Sequence, residues 1–411
     1  MKLHEDAHRI IDAAIAAAQP DSAVRRALND LPPTRGELVL VSIGKAAWQM
    51  AASAVSALGD RIRRGVVITK YGHSGGPLGD LQIFEAGHPV PDANSFRATE
   101  AAIAAVSDLR PEDRVLFLIS GGGSALFEKP LIPPEELADA TRQLLACGAD
   151  IVEINTLRKR LSAVKGGRFA ELCAPAKVFS VVLSDIVGDP LDMIASGPAH
   201  PDHSTCAQAL EIVRKYNLSL SESALRCLSK ETPKVLENVE SHITGSVRQL
   251  CAAAEAVCRA LGYRPTVLTS SLTCEAREAG SFLSAIAREY IDASEPLAFI
   301  AGGETVVHLT GHGLGGRNQE LALSAARGLD GLPGVALFSV GSDGTDGPTD
   351  AAGGIVTGET ASVLRAKGVD IDAVLADNDA YHALDACGGL IVTGPTGTNV
   401  NDLTVLLIGK E

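Results

Sequence analysis

Short apolar runs alternate with longer stretches of helical period along most of the chain. In the first half the runs are LVLVSIG (38–44), GVVIT (65–69), RVLFLIS (114–120) and VFSVVLS (178–184), each ending near Gly, Ser or Asp. Runs this short and this continuous suit strands covered on both faces. The second half repeats the style with RPTVLTS (264–270), PLAFIAGG (296–303), TVVHLT (305–310), VALFSVGS (335–342) and LTVLLIG (403–409). Strands separated by helical stretches predict an α/β protein with largely parallel sheets. The helical pattern breaks in the polar segment SKETPKVLENVESHITGS (229–246), at Pro233. We therefore expect domains at 1–237 and 238–411. The second should open with a helix over 247–261 that Gly262 caps.

Composition narrows the possibilities. Glycine supplies 41 of 411 residues, against a usual share of about 7%, which points to tight loops and close backbone approaches. Lys plus Arg number 36 and Asp plus Glu 50, a net charge of −14. That balance argues against nucleic acid or an anionic membrane surface as partner. Charge-free stretches such as 46–59 and 115–127 fall short of the roughly 18 apolar residues of a membrane span. The opening MKLHEDAHRI mixes acids and His with its apolar residues and does not read as a secretory signal. Eight cysteines without a CxxC pair read as small apolar residues of a reducing cytosol, so a cytoplasmic location is expected.

Several strand ends carry candidate chemistry, although a Walker A motif is absent. RVLFLISGGGSALF places Gly121, Gly122 and Gly123 after a strand, with Ser124 placed to begin a helix. Glycines let backbone N–H groups approach an anion, so a phosphate site is favoured over a tight turn. In LVLVSIGKAAWQMA, Lys45 stands at a helix start, against the helix dipole, which makes sense if an anion binds there; a solvated surface lysine is the alternative. Asp185 and Asp189, in SDIVGDP, follow another strand. They can hold a hydrated Mg²⁺, one of them can accept a proton from a substrate hydroxyl, or they are turn and cap residues. The basic segment NTLRKRLSAVKGGR places Asn155, Arg158, Ser162 and Lys165 along one helical face that could bind an acidic substrate or nucleotide phosphates, unless it is simply solvated.

The second half adds Gly311, Gly313 and Gly316 in GxGxxG register, a weak dinucleotide signal and a better anion loop. Arg317 follows at once, able to grip a carboxylate or phosphate bidentately. Glu304 in GGET closes a strand, and Asp343, Asp346 and Asp350 crowd the loop after VALFS, as a carboxylate mouth facing a metal-nucleotide or as an acidic turn. His88, in GHPVPD, reads as a structural turn residue.

Taken together, SIGKAA (42–47), GHPVPD (87–92), ISGGGSAL (119–126), INTLRKRLSAVKGGR (154–168), LSDIVGDPLDMIASGP (183–198), GGET (302–305), GGRNQE (315–320), GSDGTDGPTDAAGG (341–354) and TGPTGTNVNDL (393–403) resemble the glycerate 2-kinase family, whose carboxy-terminal portion is called the MOFRL domain. The resemblance implies a Rossmann-like amino-terminal domain with a parallel sheet, a smaller α/β MOFRL domain, and a site between them. It implies ATP- and Mg²⁺-dependent phosphorylation of D-glycerate to 2-phosphoglycerate. On that reading Lys45, Asp189 and Arg317 are catalytic. Gly121, Gly122, Gly123, Ser124, Arg158, Lys165, Glu304 and Asp343 bind substrate or nucleotide, and Asp185 and Asp189 hold the metal. Some members are labelled hydroxypyruvate reductase, so an NAD(P)H-dependent reductase is the competing function and a metabolite-sensing module a third. The expected partners are glycerate and ATP, with a homodimer as the candidate assembly.

Overall fold

The structure, a computed structural model, describes residues 2–409. It divides into two compact units. One holds Ala23–Ser184 and Asp189–Thr244; the other gathers the residues up to Ser22, Asp185–Gly188 and the chain from Gly245 onward.

The first unit is built on a six-stranded sheet. Its strands are β1 (Leu38–Ile43), β2 (Ile62–Lys70), β3 (Gln82–Ala86), β4 (Arg114–Ile119), β5 (Lys177–Leu183) and β6 (Val239–Gly245), in the order β3-β2-β1-β4-β5-β6. The pairs from β3 through β5 are parallel. All six residues of β1 are buried, which explains its nearly continuous apolar run; Ser42, its one polar side chain, donates to the Ala47 carbonyl at 2.8 Å. Leu38, Leu40, Leu116, Leu118 and Phe179 pack beneath the helix Ala47–Leu58, through Met50, Ala51 and Ala54. A separate helical layer closes over Leu137, Leu144, Leu157 and Leu228. The strand order reverses between β1 and β4, and in open α/β sheets ligands bind at the carboxyl ends of strands at such a point. The polar 229–246 segment contains the edge strand β6, and β3 also went unseen in the sequence because only Ala86 of its five residues is buried.

The second unit holds β7 (Arg264–Leu272), β8 (Leu297–Gly303), β9 (Val335–Gly341), β10 (Gly353–Thr357), β11 (Leu390–Ile391) and β12 (Asp402–Ile408), ordered β11-β10-β9-β12-β8-β7. The expectation of largely parallel sheets fails here. Only β7 with β8 is parallel; the other four pairings are antiparallel. The predicted strand TVVHLT is also corrected: Val306 makes one isolated bridge to Glu275, and the rest is irregular. Apolar side chains fill both faces of this sheet. On one face the helix Arg317–Leu329 buries Leu321, Ala322, Ala325 and Leu329. On the other lie the helix Val247–Ala260, ending at Gly262 with φ +93° as expected, and the helix Lys2–Ala17. That first helix buries Ala7, Ile10, Ile11 and Ala14 on one stripe. Its Asp6 accepts a 2.8 Å hydrogen bond from the Tyr263 hydroxyl inside the core.

Candidate active site

Two groups of side chains collect at sheet edges, one in each unit. In the first unit the loops that leave β1 and β4 are stitched together. Lys45 N–H donates to the Gly121 carbonyl at 2.8 Å, and Ala46 N–H donates to Ser120 Oγ at 3.1 Å. Gly44 has φ +112°, and a Cβ there would stand 2.4 Å from the Ser120 carbonyl oxygen, so neither the conformation nor the contact admits a side chain. Gly122 has φ +85°, while Gly123 is packed so tightly that a Cβ would meet Ala195 Cβ at 2.6 Å. The helix after the glycines spans only Gly123–Leu126, so its dipole is small and the anion case rests on open backbone and on Lys45. Lys45 is exposed, and among the described residues its ammonium has no hydrogen-bond or ion-pair partner.

The floor of this loop is polar and fixed. Ser124 Oγ lies 3.0 Å from Ser196 Oγ, which donates to Asn155 Oδ1 at 2.9 Å. Ala195, Ser196 and Gly197 all have positive φ (51°, 60° and 64°), a left-handed stretch that costs of order 1–3 kcal/mol for each non-glycine and survives where packing over-determines it. Asp189, with φ 55°, follows the β5 end by a tight bend after Gly188.

In the second unit β12 runs antiparallel between β8 and β9, so its first residue lies where those strands finish: Asp402 is in register with both Gly303 and Gly341. Glu304 follows β8 and Asp343 follows β9 at the same edge. Arg317, the first residue of its helix, donates from Nε to Asp402 Oδ2 at 2.6 Å, from Nη2 to Asp402 Oδ1 at 3.0 Å and from Nη1 to Glu304 Oε1 at 2.8 Å. Asn401, with φ +68°, donates from Nδ2 to Glu304 Oε2 and to the Asp185 carbonyl. Burial holds the Asp402 carboxyl above its ordinary range even though Arg317 pulls it back. A cavity of about 1060 Å³ opens over this edge, lined by Asp185, Glu304, Arg317, Asp343 and Asp346 with Val306 and Leu309 on its apolar side.

Comparison with known proteins decides the family. Residues 6–229 match the family described as "Domain of unknown function (DUF4147)", and residues 297–402 match the MOFRL family. A protein of Thermotoga maritima named D-glycerate 2-kinase is 54% identical over 97% of both chains. The chain belongs to the glycerate 2-kinase family. A crystal structure of glycerate kinase from Thermotoga maritima superposes with a TM-score of 0.95 at 53% identity, covering 99% of each chain. A protein of Agrobacterium vitis, 42% identical over 98% of this chain and 93% of its own, carries a provisional hydroxypyruvate reductase name.

Within this glycerate 2-kinase fold the predicted site residues sort into three groups. Gly121, Gly122, Gly123, Ser124 and Lys45 come together at the β1 and β4 ends, while Asp185, Glu304, Arg317 and Asp343 line one cavity. The basic segment 155–168 departs from expectation. Its helix ends at Leu161, so Lys165 is not on the face with Arg158. Lys165 is fully buried, donating to Glu128 Oε2 at 2.5 Å and to the Phe127 carbonyl at 3.0 Å. Lys159 pairs with Asp192 and Asp202, Arg160 with Asp202 and Glu231, and Arg168 donates to three backbone carbonyls. A charge run reads as solvated or ligand-facing when its partners are distant in sequence and therefore invisible. Arg158 donates to the Ser124 carbonyl at 3.1 Å, at the end of the glycine loop, while Lys165 holds the chain just after it at Phe127 and Glu128.

The first half of the GxGxxG loop is tied down by the protein itself. The N–H groups of Thr310 and Gly311 are held by Asn378 Oδ1, that of His312 by Asp377, and that of Leu314 by Asp379. At the following helix start, Asp346 accepts from the N–H groups of Asn318 and Gln319. These donors are spent within the protein, which leaves the amides of Gly315 and Gly316, at the cavity wall beside Arg317, as the part of the loop open to an anion. Arg317 is likewise already gripped by carboxylates: three of its five N–H donors are engaged, leaving two. Asp402 and Asn401, which complete this cluster, were not singled out in the sequence beyond their place in TGPTGTNVNDL.

Proposed function

We propose that this protein phosphorylates D-glycerate at its 2-hydroxyl with ATP as donor. The observation that carries the reading is the full-length identity with a relative named D-glycerate 2-kinase. The site chemistry supports it. Phosphoryl transfer depends on positioning and on neutralising charge that spreads over the phosphoryl oxygens. Lys45, over an open glycine backbone at the point where strand order reverses, suits those oxygens. Arg317, held in one orientation by Asp402 and Glu304, keeps two N–H donors for a carboxylate or a phosphate chain.

Among the described residues no three His, Cys, Asp or Glu side chains form a metal cage. Mg²⁺ does not require one, since it takes one or two carboxylates and completes its shell with water and phosphate oxygens. Asp185 and Asp189 are each a candidate for such a carboxylate ligand, and the ion when bound would neutralise nucleotide charge. Asp189 is our candidate to accept the proton of the glycerate hydroxyl, with Asp185 as the alternative.

The reductase reading needs a nicotinamide site; in the glycine loop that suggested it the amides of Gly311, His312 and Leu314 are occupied, and the relative that carries the reductase name is less similar than the one named D-glycerate 2-kinase. Side-by-side assays test the choice. ADP release that depends on D-glycerate and Mg²⁺, without NADH or NADPH oxidation on hydroxypyruvate, is expected; the opposite pattern would overturn the kinase reading.

A further inference from the structure

His88 follows β3 by two residues, at the same carboxyl edge of the sheet as Lys45 and the glycine loop. Its ring is aimed at that loop. A Cβ built on Gly122 would stand 3.1 Å from His88 Cδ2, 3.2 Å from His88 Nε2 and 3.1 Å from Lys45 Cγ, so the imidazole edge and the lysine stem flank one open glycine. His88 is half-buried, yet among the described residues its ring has no hydrogen-bond or ion-pair partner. The charged groups that face it are all cationic or protonatable: Lys45, Lys70 and His73. The acids on neighbouring elements are turned elsewhere. Asp92 accepts from the Tyr71 hydroxyl and the Ser95 N–H, and Glu85 accepts from the N–H groups of Gly72 and Ser74. Two uncommitted basic groups converging on bare backbone, in a chain of net charge −14, are arranged for a ligand and not for a structural partner.

We infer that His88, together with Lys45, binds the oxyanion group placed over Gly122 and takes up a proton as it does so. The inference rests on the kinase reading only for the identity of that group, which is either a phosphoryl group of the nucleotide or the carboxylate of glycerate. Burial, then the charges of Lys45, Lys70 and His73, hold the free imidazole below its ordinary range, so it is neutral at pH 7. An anion between it and Lys45 reverses that balance. Binding therefore draws protons from solvent and tightens as pH falls toward the lowered range of the free imidazole.

Isothermal titration calorimetry at pH 6.5, in two buffers of different ionisation enthalpy, reads this uptake directly. Sulfate, which does not titrate in this range, stands in for the phosphoryl group, and D-glycerate is the second probe. Net uptake with sulfate identifies the phosphoryl group, and uptake with D-glycerate identifies the carboxylate; either supports the inference. His88→Asn and His88→Gln should abolish the uptake and weaken that probe about tenfold at pH 6.5, the loss of a charge-assisted hydrogen bond. His73→Asn should keep both. No uptake by the unaltered protein with either probe, or uptake preserved without His88, would overturn the assignment. A failure of the kinase reading shows separately, as absent glycerate-dependent ADP release, and leaves the sulfate measurement intact.

Discussion

Arg317 and Asp402 form a two-pronged ion pair, 2.6 Å and 3.0 Å between the paired atoms, at the edge of the second sheet. Asp402 is almost fully buried while Arg317 remains one-third exposed, so the carboxylate depends on the guanidinium more than the reverse. Arg317→Met should therefore destabilise the fold by roughly 2–3 kcal/mol, because it strands a buried charge. Arg317→Met combined with Asp402→Leu should recover much of that stability in urea melts without recovering turnover. Additive losses in the double variant would contradict the pairing.

Lys165 and Glu128 make the complementary case, with both side chains wholly inside the first unit. Lys165→Met is expected to cost about 3 kcal/mol or more, since Glu128 is left buried and unpaired. Its effect on kinetics should follow the loss of folded protein and a loosened glycine loop. Activity normalised to folded protein that falls 10³-fold at unchanged stability would instead make Lys165 a ligand-binding residue.

Asp346 sets a pH signature. Burial pushes its carboxyl up to about 6 from an ordinary 3.8, against the hydrogen bonds from Gln319 and Asn318. The folded state thus holds this proton more tightly than the unfolded chain. The resulting stability is fully present below about pH 4 and is lost as pH rises through about 6. Measured by denaturant melts, the stability of the unaltered protein minus that of Asp346→Asn should fall between pH 4.5 and 7. A flat or rising difference would refute the assignment.

Turnover should depend on Lys45 without stability doing so. Its ammonium has no partner among the described residues, so Lys45→Met is expected to leave the melting temperature within a few degrees while lowering kcat about 10²-fold or more. Steady-state kinetics beside a thermal melt provide the check, and unchanged kcat would remove Lys45 from the chemistry.

What the sequence disclosed followed from how local the signal was. Lys45 and Gly121–Gly123 were legible because strand, turn and helix start are contiguous, and their burial pattern needs no partner. Asp402 was not, because its place beside Glu304 and Arg317 depends on β12 running antiparallel, which an apolar run does not encode. Lys165 misled for a related reason: Glu128 lies 37 residues away, so a buried pair looked like part of a charged face. His88 was hidden by β3, a short edge strand with one buried residue, which gave no hint that the His ends a strand.

The central claim is chemical, and the product tests it most directly. Phosphorus NMR of a reaction containing the purified protein, D-glycerate, ATP and Mg²⁺ should show 2-phosphoglycerate and ADP rising together, with Lys45→Met holding both near background. A spectrum with ATP unconsumed, or with phosphate on the 3-hydroxyl or on water instead, would contradict the account.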